Sequence, residues 1–375
     1  MRRLNAHFGE AVLEGVHRVI DLGDLAAEWQ PSLRFLLIGE REGIAARLDR
    51  LRASGLSNVS WIDAEGLQRG DVVVSAGNGK ELVVLDRASD HHHGLQLTNR
   101  CNSYCLMCSQ PPTAQDDEWM VQEAVDVLRH MSPSAVIGLS GGEPLLLGDR
   151  LREILENVKH YHPAAKVDLL TNGRLLADRE FADSLLSDLE TPTSWLVPLY
   201  GHADFLHDFI VQAKGAFEQT LQGILNLQAY RQPVQLRVVL IQPVLEELEE
   251  LCIYIGRNLP FVREVALMAC EPIGFALANR DVCEVDLSEW HETLHASCRI
   301  LARHEVPFLF MNAPLCALPE QLRPYAHRSI SDWKNVYAPV CSECSLRASC
   351  SGFFSWHERG WKPLKTIKIF EEAKA

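Results

Sequence analysis

Cys101-Asn102-Ser103-Tyr104-Cys105-Leu106-Met107-Cys108 sets three thiols at spacings of four and three residues, directly after a short apolar run at 95–97. From that run onward the chain alternates short apolar segments with longer amphipathic ones. Further runs fall at 135–139, 167–170, 195–199, 236–241 and 265–268, and 307–311 reads as a last strand. Phe217, Leu221, Ile224, Leu225 and Gln228 recur at helical spacing and predict one helix face; Ala124, Val127, Leu128 and Met131 predict another. Six strand–helix repeats require a parallel sheet, because each helix carries the chain back over the sheet before the next strand can pair. An open doubly wound sheet and a partial (βα)6 TIM-type barrel both answer to this rhythm. In either, ligands bind at the carboxyl ends of the strands. The thiol loop stands at the end of the first.

Three domains follow from the changes in rhythm. Residues 1–90 read as a small α+β N-terminal domain, with a strand at 35–39 and a helix at 44–51. A hairpin of 70–74 and 81–85 closes around the Gly77-Asn78-Gly79 turn. Nothing in this domain carries chemistry, which suits a cap or docking unit. The α/β segment occupies 91–312, and a Cys-rich C-terminal extension occupies 313–375.

Composition narrows the partners. Hydrophobic residues make up 47% and charged residues 23% of the 375, which is the profile of a packed protein and not a disordered one. Thirty-six Lys and Arg against 50 Asp and Glu leave a net charge of −14 with no basic block, a surface that repels nucleic acid. No apolar run approaches the roughly 18 residues of a membrane span. The opening residues Met1-Arg2-Arg3-Leu4-Asn5 lack the apolar core of an export signal. The expectation is a cytoplasmic protein with neither membrane nor nucleic acid as partner. Eleven cysteines in such a compartment are not a disulfide framework. Their clustering points to metal.

Three neighbouring thiolates can hold three irons of a [4Fe–4S] cluster and leave the fourth open, as a catalytic metal site leaves a position open. A zinc site completed by a distant His or Cys is the other reading. The second strand ends in Gly141-Gly142-Glu143-Pro144 and the third in Thr171-Asn172-Gly173. Two glycines let a ligand approach the backbone, and the Glu143 carboxylate can pair with an ammonium group. In the extension, Cys341-Ser342-Glu343-Cys344 and Cys350, with Cys316 upstream, supply four thiols, enough to close a second cluster or a zinc knuckle.

Cys101, Cys105 and Cys108 with Gly141-Gly142-Glu143-Pro144 and Thr171-Asn172-Gly173 resemble the radical S-adenosylmethionine (SAM) superfamily. The resemblance implies a partial (βα)6 barrel and a [4Fe–4S] cluster on Cys101, Cys105 and Cys108 that binds SAM. Gly141, Gly142 and Glu143 would hold the methionyl ammonium, Asn172 would lie near the ligand, and Met107 would stand where an aromatic residue usually packs beside the adenine. The Cys316, Cys341, Cys344 and Cys350 set resembles the auxiliary-cluster extensions of SPASM and twitch type. Further stretches are similar to the His-Xaa-Ser system radical maturases. They are Cys105-Leu106-Met107-Cys108-Ser109-Gln110-Pro111-Pro112, Pro198-Leu199-Tyr200-Gly201, His207-Asp208, Ala266-Leu267-Met268 with Glu271-Pro272, and Ser329-Ile330-Ser331-Asp332-Trp333-Lys334-Asn335. The implied role is an enzyme that modifies a ribosomal peptide with His-Xaa-Ser repeats, alongside a second radical maturase and an external electron donor. A radical enzyme acting on a small molecule in cofactor biosynthesis is one alternative; a zinc-bearing scaffold without catalysis is another.

Other residues read as structural. Cys252, Cys270, Cys283 and Cys298 lie in strand and helix patterns where Cys behaves as a small hydrophobe. His91-His92-His93 could bind metal, but it stands at the entry to the first strand and reads as a junction. Arg237 lies mid-strand in Leu236-Arg237-Val238-Val239, facing either a carboxylate in the barrel or a structural partner.

Overall fold

A computed structural model describes residues 2–7, 13–38 and 41–356. It divides the chain into two compact units: Met1–Leu97 with Asp116–Leu139 and Arg150–Val167, and Thr98–Gln115 with Ser140–Asp149 and Asp168–Ala375.

Seven N-terminal strands form one sheet: β1 (Arg2–His7), β2 (His17–Asp21), β3 (Phe35–Ile38), β4 (Val59–Trp61), β5 (Asp63–Ala64), β6 (Val72–Ser75) and β7 (Glu81–Asp86). Their order is β4-β3-β2-β6-β7-β1-β5. The β2–β3 and β3–β4 pairs are parallel, and the helix Arg41–Ala53 makes the crossover between β3 and β4. Strand alternation sends Phe35 and Leu37 into one core with Ile20 and Val59, and Leu36 into another with Val73 and Leu82. The predicted hairpin is β6–β7, antiparallel with a register shift at Val72/Val73. Gly39, placed in the first strand by the sequence, lies outside the described residues.

The second sheet is the predicted one. β8 (Gly94–Gln96), β9 (Val136–Ser140), β10 (Lys166–Leu170), β11 (Thr193–Pro198), β12 (Val234–Leu240), β13 (Glu264–Ala269) and β14 (Phe308–Met311) run in strict sequential order, with β8 and β14 at its edges. Pairings from β11 to β14 are all parallel. The result is an α/β fold with a partial barrel. Intervening helices are amphipathic: Leu151, Ile154, Leu155 and Val158 form the buried stripe of Asp149–Tyr161, and the predicted Ala124, Val127, Leu128 and Met131 are all buried.

The helix Ala216–Ala229 corrects the sequence reading. Its buried stripe is Ala216, Thr220, Gly223, Ile224 and Leu227, while Leu225 is 45% exposed. Small residues face inward because the helix lies very close to the loop after β10: a Cβ at Gly223 would overlap the carbonyl of Gly173. A pattern of large apolar side chains cannot reveal a face chosen for its smallness. In the extension, β15 (Asn335–Val336) and β16 (Phe353–Phe354) pair antiparallel. Among the described residues, no helix is long and apolar enough to cross a membrane.

Candidate functional site

The loop that carries the three thiols is fastened at its stem. Gly142 N–H donates to the Thr98 carbonyl and Glu143 N–H to that of Arg100, both at 2.8 Å. A Cβ at Gly142 would overlap the Arg100 carbonyl, so only glycine lets the two segments meet. Glu143 itself is fully buried. Its Oε1 accepts from Leu145 N (2.9 Å) and Thr171 Oγ1 (2.6 Å), and its Oε2 from Asn172 N (2.6 Å). Burial pushes this carboxyl upward in pKa, against the pull of those three hydrogen bonds and of Arg174. The expectation from sequence is that Glu143 pairs with a ligand's ammonium group. Here the chain engages three of the carboxylate's about four acceptor positions, and Glu143 ties the loops after β9 and β10 together.

Asn172 continues the brace. Its Nδ2 donates to Asn102 Oδ1 at 2.6 Å, inside the thiol loop. Arg174 does more, and the sequence reading passed over it. It donates to the Asn102 carbonyl and, at 3.0 Å, to Ser103 Oγ, while Gln219 steadies its Nε at 2.8 Å. The only signal was its position one residue beyond Thr171-Asn172-Gly173. From the other side, Tyr104 N and Leu106 N donate to the carbonyls of Val211 and Ile210, at the end of the helix Asp204–Val211. Phe275 N donates to the Cys108 carbonyl and Asn279 Nδ2 to that of Leu106, each at 2.9 Å.

Beside these clamps, Cys108 Sγ donates to the Gln110 carbonyl at 3.0 Å, and the Cys101 sulfur hydrogen-bonds to backbone of its own loop. Cys101, Cys105 and Cys108 sense one another electrostatically, and Met107 between them is 7% exposed. Burial pushes the Cys101 thiol up to about 11 and Cys105 to about 12, and raises Cys108; the Arg174 charge opposes the rise at Cys105. Neutral thiols are the resting form, and a bound metal would supply the positive charge that removes their protons. Among the described residues, no three His, Cys, Asp or Glu side chains converge as ligands of one ion do. Three neighbouring thiols with neither imidazole nor carboxylate among them fit a [4Fe–4S] cluster.

The extension holds the second thiol set. Cys316, Cys341, Cys344 and Cys350 line one cavity with Tyr337 and Arg347, with about 340 Å³ of free space open to solvent. Twenty-four residues separate Cys316 from Cys341 in sequence, yet the short turn Leu315–Ala317 brings Cys316 to the same wall. Cys350 Sγ accepts from Leu315 N at 3.3 Å and Gly352 N at 3.4 Å, and Tyr337 Oη donates to the Cys350 carbonyl at 2.9 Å. Burial raises the Cys341 thiol, as do Cys350 and Cys344, while Arg347 counters them.

Cys252, Cys283 and Cys298 are buried as expected, and Cys270 hydrogen-bonds to Cys283. His93 pairs with Asp86 at 2.6 Å, which raises its pKa and gives that ring a structural partner.

Comparison with known proteins follows this geometry. Residues 95–255 match the model of the radical SAM superfamily. A probable GTP 3′,8-cyclase of Methanocella arvoryzae is 32% identical over 176 residues, 46% of this chain and 54% of its own. Another, of Methanothermobacter marburgensis, is 25% identical over 201 residues, 51% and 63%. The chain thus spans between half and two thirds of these relatives. Among solved structures, anSMEcpe with bound AdoMet and Cp18Cys peptide gives a TM-score of 0.44 at 15% identity, over 57% of this chain and 62% of its own. A radical SAM methyltransferase from Sphaerobacter thermophilus gives 0.43 at 15%, over 64% and 68%.

Proposed function

We propose that this chain, whose residues 95–255 form an iron–sulfur, SAM-dependent radical SAM domain, takes a hydrogen atom from a small-molecule substrate inside the partial barrel. The observation that carries the reading is the clamped loop of Cys101, Cys105 and Cys108. The anchors that tie this loop to the rest of the chain are backbone and neighbouring side chains, and the thiols' hydrogen bonds go to the loop's own backbone, so metal can take the thiols without undoing the clamp. A [4Fe–4S] cluster held there would supply, when reduced, the electron for reductive cleavage of SAM to methionine and a 5′-deoxyadenosyl radical.

The chain's own part is placement. Cys101, Cys105 and Cys108 would hold the cluster and leave it one position for SAM. Gly141 and Gly142 offer backbone beside it, Glu143 and Asn172 fix that backbone, and Met107 gives an apolar wall. Cys316, Cys341, Cys344 and Cys350 would hold a second cluster with all four thiols, which would carry electrons or stiffen the extension.

The curated relatives' names favour a small molecule, with GTP the first to try. A second reading, a maturase of His-Xaa-Ser peptides working with a second radical enzyme, rests on the sequence stretches that resemble such maturases and on the four-thiol cavity of the extension. One assay separates them. Anaerobic protein with reconstituted iron is given dithionite, SAM and either GTP or a His-Xaa-Ser repeat peptide, and 5′-deoxyadenosine is followed by chromatography. GTP is expected to accelerate its release. Acceleration by the peptide alone moves the substrate to the second reading, and colourless protein carrying only zinc returns the chain to the scaffold.

A further inference from the structure

Arg237 has no role in the site described so far, and its surroundings are unusual for a structural arginine. Its Nε is sealed from solvent and has no hydrogen-bond partner. One terminal nitrogen reaches Met311 Sδ at 3.5 Å, a weak acceptor for one of the five N–H groups a guanidinium carries. No carboxylate among the described residues pairs with it. Burial works against its charge, and only the more distant Tyr200 and Asp168 favour it. A structural arginine ends on carbonyls or a carboxylate, because an unpaired buried charge is strongly unfavourable.

The strand register fixes where this group points. Arg237 on β12 pairs with Pro198 on β11 and with Ala266 on β13. Its alternates Leu236 and Val238 are fully buried, on the opposite face of the strand. Arg237 touches Met311 on β14, with β13 lying between, and senses Asp168 on β10, two strands the other way. A side chain reaches both directions only from the concave face of the barrel. Both neighbours at its own level, Pro198 and Ala266, are short, which leaves the guanidinium uncovered.

Tyr200 stands two residues beyond Pro198, just past the end of β11. It is 7% exposed, and the described structure gives its phenol no hydrogen-bond partner. It senses Cys105, Cys108 and Arg237 together. So a phenol and a guanidinium, both with donors to spare, lie within electrostatic reach of each other, and the phenol within reach of two of the thiols.

We infer that Arg237 and Tyr200 form a binding subsite for an anionic oxygen group of the substrate, a carboxylate or a phosphate. The inference rests on the proposed radical reading, since it places a substrate in this barrel. The same chemistry could come from the carboxylate of SAM, so the test separates the two sources. Anaerobic, iron-reconstituted wild type, Arg237→Gln, Arg237→Lys and Tyr200→Phe are titrated with GTP, inorganic phosphate and acetate, read by intrinsic fluorescence. SAM binding is read separately from its change of the cluster's electron paramagnetic resonance spectrum. At least one anion is expected to bind wild type saturably below about 1 mM. Arg237→Gln weakens it at least tenfold, and Arg237→Lys and Tyr200→Phe weaken it less, while SAM affinity stays within about threefold. The inference is overturned if no probe binds wild type, if Arg237→Gln binds all three as wild type does, or if SAM affinity is what falls. SAM cleavage by wild type with dithionite alone reports on the radical reading by itself: if it is absent, that reading fails whatever the anions do.

Discussion

In the barrel loop, three thiols sit on one short stretch of chain that neighbouring elements hold at Asn102, Ser103, Leu106 and Cys108, and Cys108 Sγ donates to the Gln110 carbonyl within the loop. In the extension, four thiols come from segments up to 34 residues apart in sequence, and there Cys350 Sγ accepts from the N–H groups of Leu315 and Gly352. A set of three leaves one corner of a cuboidal cluster for an exchangeable ligand; a set of four leaves none. Hydrogen bonds to sulfur also tune the potential of a closed cluster. The same side chain therefore serves opposite ends according to how many copies share one cavity and what the chain holds on to.

Removing each set in turn should break the comparison most sharply. Cys101, Cys105 and Cys108 changed together to Ala should abolish 5′-deoxyadenosine production while about four irons remain on the extension. Cys341, Cys344 and Cys350 changed together should lose about that much iron and still cleave SAM. Cleavage that survives in the first variant would remove the mechanism, and loss of all iron in either would show that the two sets are not independent.

A smaller effect is expected from Arg174→Gln. Losing the grip on Asn102 and Ser103 leaves a buried carbonyl and hydroxyl short of a charged donor, worth about 1.5–3 kcal/mol. SAM cleavage should fall roughly tenfold or more with the iron of the extension unchanged, as read by parallel iron and product assays. Unchanged cleavage would mean that the loop holds its shape without Arg174.

Acid should act on the barrel loop's support through stability and leave the loop's own hydrogen bonds in place. His207 lies in the helix whose end meets that loop, and its buried Nδ1 accepts from Tyr200 N at 3.2 Å. Burial lowers its pKa from 6.5 to about 4. The unfolded chain takes up this proton below pH 6.5 and the folded one resists until about 4, so stability from the neutral ring is lost as pH falls through that window. The loss is on the order of 3 kcal/mol at most. Melting curves of His207→Asn should depend less on pH between 6.5 and 4 than those of wild type, and equal slopes would locate the acid response elsewhere.

Much of the barrel could be read in advance because parallel strands buried on both faces announce themselves as apolar runs: all seven from β8 to β14 lie within two residues of the runs in the sequence. The N-terminal sheet could not be, since its order interleaves strands distant in sequence and β5 is two residues long. At the site, the thiols were legible because cysteine spacing is rare and specific. Arg174 was not, and Arg237 stood out mid-strand but without its surroundings, because an arginine acquires a role only from what the fold sets opposite it. Cys316 was uncertain for the same reason, as only the folded turn brings it to the wall of Cys341, Cys344 and Cys350.

Glu143 binds the amide of Leu145, the hydroxyl of Thr171 and the amide of Asn172, and none of those three bonds involves iron. The loops after β9 and β10 are thus joined by groups the polypeptide itself supplies, so that stripping iron from the thiols would break none of these three bonds.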